Sequence, residues 1–155
     1  MTRGDMEPLD RPRCFEMGRR CACANLRKAA RVVTQLYDEI IRPSGLRGTQ
    51  FGLLMATRAL GPVTVTKLAD KAMMDRTTLA RNLRLLEKKG LIRIEPGEDQ
   101  RMREVTLTNQ GYETLTKALP FWEKAQARIV EGLGEERLNN LLENLEAMVS
   151  LVRKG

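Results

Sequence analysis

The chain has 155 residues, 42% of them hydrophobic and 30% charged, a length and composition suited to one domain with one well-developed core. No stretch reaches the ~18 uninterrupted apolar residues of a membrane span, and no apolar segment follows Met1 to form a secretory signal. The absence of histidine removes Ser-His-Asp and Cys-His nucleophile pairs and every His-metal site, and there is no Gly-rich phosphate loop, so no catalytic residue, cofactor or metal set is expected.

Residues 1–15, with two prolines and scattered charge, read as a disordered arm. Over 23–40, Cys23, Leu26, Ala30, Val33, Leu36, Tyr37 and Ile40 recur at three and four, one face of a helix that Pro43, Ser44 and Gly45 end. Thr49 is a good N-cap for a second helix carrying Phe51, Leu54, Met55 and Leu60, stopped by Gly61 and Pro62. Thr64 caps a short helix with Leu68, Ala69 and Ala72. A break at Met73, Met74 and Asp75 follows, then a helix over 76–89 with Leu79, Leu83 and Leu86 inward. Gly90 stops it, because glycine enters the left-handed region cheaply and Lys88 and Lys89 suit the negative end of the helix dipole.

Strands are expected over 91–95 and 104–107, joined by a turn at Pro96 and Gly97 and a charged tip over 98–103. Thr108 caps a long helix through Leu115, Leu119, Trp122, Ile129 and Val130, with Pro120 inside it as a kink. Glu135 and Glu136 open the last helix at the end where negative charge is favoured. Along it Leu138, Leu141, Leu142, Leu145, Met148, Val149 and Val152 form a heptad-like stripe that needs a partner. The fold class is therefore mainly α with a small β-hairpin wing. A winged helix-turn-helix over 49–108 is framed by N- and C-terminal dimerisation helices over 16–48 and 109–155.

The formal charge of +7 is unevenly spread. Residues 1–31 carry eight Lys/Arg against four Asp/Glu, 67–103 carry ten against six, and 104–155 carry six against eight. One face is thus fitted to phosphate and another to protein. With Leu79, Leu83 and Leu86 inward, the 76–89 helix turns Arg76, Thr77, Thr78, Arg81, Asn82, Arg84 and Lys88 outward. Arg81 and Asn82 suit guanine and adenine edges, Thr77 and Thr78 lie near the helix N-terminus, and Lys67, Arg84 and Lys88 suit the phosphate backbone. Arg101 and Arg103 at the hairpin tip fit a narrow minor groove, with Asp99 bracing the Arg101 guanidinium as an ion pair. The expected partners are double-stranded DNA and a second copy of the chain. A non-DNA helical interaction module, using the terminal heptad alone, is the alternative that this basic helix face speaks against.

In this order the chain resembles the MarR family of regulators, over residues 21–152. The resemblance is carried by Leu68-Ala69, by Asp75 through Arg81, by Leu86 through Ile92, and by Asp99-Gln100-Arg101 with Leu107-Thr108 and Gly111. It implies a homodimeric transcription regulator, as a repressor, on a pseudo-palindromic operator with half-sites roughly 34 to 36 Å apart. It also implies a small-molecule effector that lowers DNA affinity and binds the non-DNA arrangement more tightly.

Cys14, Cys21 and Cys23, an odd number within ten residues, suit free thiols in a reducing compartment, so a cytoplasmic location is expected. Cys23 lies 27 residues before Gln50, the spacing of the reactive cysteine in the peroxide-sensing branch that the resemblance brings with it. Tyr37 matches one of that branch's tyrosines, whereas Gly48 and Arg27 occupy two others. Cys23 as a redox switch, against Cys23 as a buried structural residue, is the second regulatory reading.

Overall fold

The structure is a computed structural model and describes residues 9–153. The chain divides after Leu36 into two compact units, a boundary that falls within the 16–48 helical region expected from the sequence. Of the arm expected over 1–15, residues 1–8 lie outside the described residues, and α1 (Arg11–Arg20) is helical. Its N-terminus is set by Asp10, whose carboxylate accepts the Arg13 N–H at 2.8 Å, and by proline in the first turn, where no N–H is needed. Two carbonyls of the last turn of α1, and that of the Cys21 cap after it, are met by one side chain. The Asn25 amide donates to the oxygens of Gly18, Arg19 and Cys21 at 3.2, 3.1 and 2.8 Å. Asn25 belongs to α2 (Ala22–Ile41), which runs on into the second unit.

In the second unit a 3-10 turn (Arg42–Ser44) and left-handed Gly45 lead to α3 (Gly48–Leu60). Thr49 is not its cap. The Asp38 carboxylate of α2 accepts the Gly48 N–H at 2.7 Å, and Gln50 Oε1 accepts the Arg47 N–H at 3.1 Å. A cap supplied from the preceding helix starts α3 earlier than local residues suggest. A two-residue strand, β1 (Val63–Thr64), precedes α4 (Val65–Ala72), whose N-cap is Thr64 as expected, its hydroxyl accepting from Lys67 N–H at 3.2 Å. Then come α5 (Arg76–Lys88), β2 (Ile92–Pro96), β3 (Arg103–Leu107), α6 (Asn109–Leu133) and α7 (Glu135–Arg153). Helix α6 continues through Pro120 although that residue has no N–H to give the turn before it.

The sheet is antiparallel in the order β1-β3-β2, with Val63 opposite Val105 and Ile92 opposite Leu107. β1 has no sequence signature, since two residues show no periodicity. The core lies where α3 packs against α4, β3 and α6 and α5 packs against β2: Leu54, Leu68, Leu79, Leu86, Ile92 and Val105 are fully buried together. Phe51 stacks on Trp122 with centroids 6.2 Å apart, and the Tyr37 hydroxyl donates to Gln126 Oε1 at 2.5 Å. Burial raises the Tyr37 pKa, which keeps that phenol in its donating form. Of the apolar stripe on α7 only Leu138 is buried. Leu142 is 52% exposed, and Leu141, Met148 and Val149 are exposed with it.

Candidate nucleic-acid interface

Two helix ends fix the recognition helix. At its start the Asp75 carboxylate accepts the Thr78 N–H at 2.8 Å and the Thr78 hydroxyl at 2.6 Å, and these bonds, the hydroxyl foremost, hold the Asp75 pKa below its ordinary value. The turn before it passes through Met73 at φ 53, the only non-glycine residue at positive φ among the described residues. Its geometry closes α4 all the same: Met74 N–H donates to Ala69 O at 3.1 Å. At the far end Gly90 has φ 72, as its position predicts.

The junction into the hairpin is seated on α6. Thr108 donates its hydroxyl to Gly90 O at 2.7 Å and its N–H to Leu91 O at 3.1 Å, while Gln110 Nε2 donates to Lys89 O at 3.3 Å. Gly111 is required here because a Cβ at that position would lie 2.0 Å from the Leu91 oxygen. Lys89 reaches the other way, to Gly45 O at 3.1 Å.

Leu79, Leu83 and Leu86 are the buried residues of α5, so the expected polar residues face outward. Arg76, Thr77, Arg81 and Arg84 are exposed and, with Ala80, line a shallow groove of about 510 Å³. Lys88 on the same helix and Lys67 on α4 are exposed too. Thr78 and Asn82 are half-buried and partly committed: the Thr78 hydroxyl to Asp75, and the Asn82 Nδ2 to Thr78 O at 2.9 Å. That leaves Asn82 its oxygen and one N–H. Arg101 and Arg103 are both exposed on the hairpin.

Asp99 does not pair with the Arg101 guanidinium. Its Oδ1 accepts the Arg101 main-chain N–H at 3.1 Å, and its carbonyl accepts the Met102 N–H at 2.8 Å. An aspartate two residues before an amide closes an Asx turn more readily than it reaches a long side chain, so Asp99 shapes the tip and leaves the guanidinium to solvent. Arg103 instead donates to Ile94 O at 3.3 Å. Pattern reading gave no role to Asp75, Glu87 and Gln110, which are exposed but bond main-chain groups. Of these, only Asp75 had a local signal, an acidic residue directly before a helix.

In the first unit all three cysteines are exposed, so Cys23 is not a buried structural residue within the chain. Cys21 Sγ accepts the Ala24 N–H at 3.4 Å at the start of α2.

A model of the MarR family matches residues 44–102, which span α3 to the hairpin tip. An HTH-type transcriptional regulator of Bacillus cereus is 30% identical over 115 residues, 74% of this chain and 77% of that protein. Among solved structures, the transcriptional regulator MosR of M. tuberculosis, in complex with DNA, superposes with TM-score 0.76 at 37% identity, covering 86% of this chain and 98% of that one. A mutant E. coli MarR complexed with operator DNA shares the fold, with TM-score 0.75 at 20% identity over 87% of this chain and 94% of that one. No described helix is long and apolar enough to cross a membrane. With its helix-turn-helix, its antiparallel wing and these relatives, the chain belongs to the MarR family of winged-helix transcriptional regulators.

Proposed function

We propose that this protein is a sequence-specific DNA-binding regulator, a homodimeric repressor that occupies a pseudo-palindromic operator and is released by a small-molecule effector. The observation that carries the DNA role is the open face of α5, where Arg76, Thr77, Arg81 and Arg84 line one groove and Lys88 extends the stripe. Arg81 reads a guanine edge and Asn82 an adenine edge through its remaining N–H and oxygen. Arg84, Lys88 and Lys67 hold phosphates, and Arg101 enters the minor groove. The MosR and MarR structures with DNA support this reading by likeness. Support for the homodimer comes from the apolar residues left exposed on α7 and, separately, on α2, where Val32 and Val33 are exposed. Selection of bound sequences from random duplex DNA tests it. An enriched inverted repeat with half-sites one helical turn apart is the expected outcome, and failure to enrich any sequence would sink it.

A second reading of the release mechanism is thiol oxidation at Cys23, favoured by the exposure of that thiol. Operator binding with and without an organic hydroperoxide, in wild type and Cys23→Ser, separates the two. Release confined to the wild type supports the thiol, and identical behaviour of both proteins rejects it.

A further inference from the structure

The outer edge of the wing carries a contact that neither the fold nor the groove of cations accounts for. Leu91 pairs with Thr108 through a ladder bond at one end of the hairpin, and Gly97 pairs with Met102 at the other. Antiparallel pairing alternates, so Arg93 and Glu95 turn their main-chain groups toward β3, whereas Ile92, Ile94 and Pro96 turn theirs away. β2 is an edge strand, on the side of β3 opposite β1. Pro96 has no N–H to leave open there. Ile94 has both groups, and both are taken by side chains: its N–H donates to Glu87 Oε1 at 3.3 Å, and its carbonyl accepts from Arg103 Nη2 at 3.3 Å.

Glu87 is the single acidic residue of α5, whose other charged residues are Arg76, Arg81, Arg84 and Lys88. A carboxylate on a helix offered to phosphates repels the ligand, so by charge alone it weakens DNA binding. It is also exposed, so it does not serve the core. What it does is join the last turn of the recognition helix to the middle of the first wing strand, beyond the junction at Gly90 that α6 already seats.

We propose that Glu87 is a positioning residue that locks the wing to the recognition helix, so that the arginines of the tip and those of α5 meet DNA as one preorganised body. A wing free to swing about Gly90 must be ordered when it binds, and that cost is charged against the contacts of Arg101. The inference rests on the DNA reading above.

The experiment compares Glu87→Ala with Glu87→Gln, which keeps an acceptor oxygen but loses the charge, each alone and combined with Arg101→Ala. Two readouts are taken: affinity for the selected operator, and hydrogen exchange of the Ile94 amide in the free protein. The lock predicts that Glu87→Ala weakens operator binding about tenfold, the order of one ordered contact region. It predicts that Arg101→Ala adds little to that loss, and that Ile94 exchanges faster. Glu87→Gln should keep slow exchange and bind at least as tightly as wild type. Tighter binding by Glu87→Ala, or a loss fully additive with Arg101→Ala, would overturn the lock. So would unchanged Ile94 exchange. If instead Arg101→Ala alone leaves operator affinity unchanged, the minor-groove reading fails, while exchange at Ile94 still decides whether Glu87 holds the strand.

Discussion

Replacing Gly111 by alanine should unseat the root of the wing. In an ordinary helical position the change would stabilise the protein by about 0.5 to 1 kcal/mol, because alanine loses less backbone freedom. At Gly111 the new Cβ would sit 2.0 Å from the Leu91 oxygen and 2.9 Å from Leu107 Cδ1. A relaxed carbon–oxygen contact lies near 3.3 Å, so α6 and the chain at Leu91 must part by roughly 1.3 Å. That movement stretches the Thr108 bonds to Gly90 O and Leu91 O, now 2.7 and 3.1 Å long. Two such bonds at about 1 kcal/mol each, plus overpacking at about 1 to 3, less the helical gain, give a net loss of about 2 to 4 kcal/mol. Gly52→Ala is the internal control, since Gly52 lies within α3 with nothing inside 4 Å of an added Cβ. Urea unfolding followed by the fluorescence of Trp122 should move the two midpoints in opposite directions. Stabilisation of Gly111→Ala to the level of Gly52→Ala would refute the steric argument.

Asp75 gives a pH signature. Its pKa is depressed in the fold by the Thr78 hydroxyl and N–H, so its contribution is present above the ordinary carboxylate value and is lost as pH falls through the lowered one. The melting temperature of wild type should therefore exceed that of Asp75→Asn at neutral pH, with the gap narrowing as pH falls below about 4; a gap that does not narrow there would contradict the assignment. Arg101→Ala should weaken binding most at sites with a narrow, A/T-rich minor groove, as measured by titration of operators that differ only under the wing. Leu142→Glu, at a residue 52% exposed on α7, should shift sedimentation from dimer to monomer while leaving the helical content of the folded chain unchanged. A dimer unaffected by this charge would move the interface elsewhere.

Much of the architecture was legible because it is written locally. Leu79, Leu83 and Leu86 repeat at helical spacing, Thr64 and Thr108 cap the helices they precede, and Gly90 stands where the chain must turn left-handed. What stayed hidden depends on groups distant in sequence. Asp38 starts α3 from ten residues away, β1 exists only because Val105 offers it a partner, and α1 was obscured because its composition looks like a solvated arm. The candidate interface divides in the same way. Outward cations follow from the position of the inward leucines, but hydrogen bonds redirect Asn82, Asp99 and Arg103 toward the main chain and Thr78 toward the Asp75 carboxylate. A list of polar residues cannot separate side chains that await a ligand from those that hold up the ones that do.

The most direct test of the account is the ratio of operator affinity to random-DNA affinity, measured at one salt concentration for wild type and Arg81→Ala. If α5 reads bases through Arg81, the substitution costs about 1 to 3 kcal/mol on the operator and much less on random DNA, so the ratio collapses. Equal losses on both would show that Arg81 only neutralises phosphate, and would contradict the assignment of α5 as the reading helix.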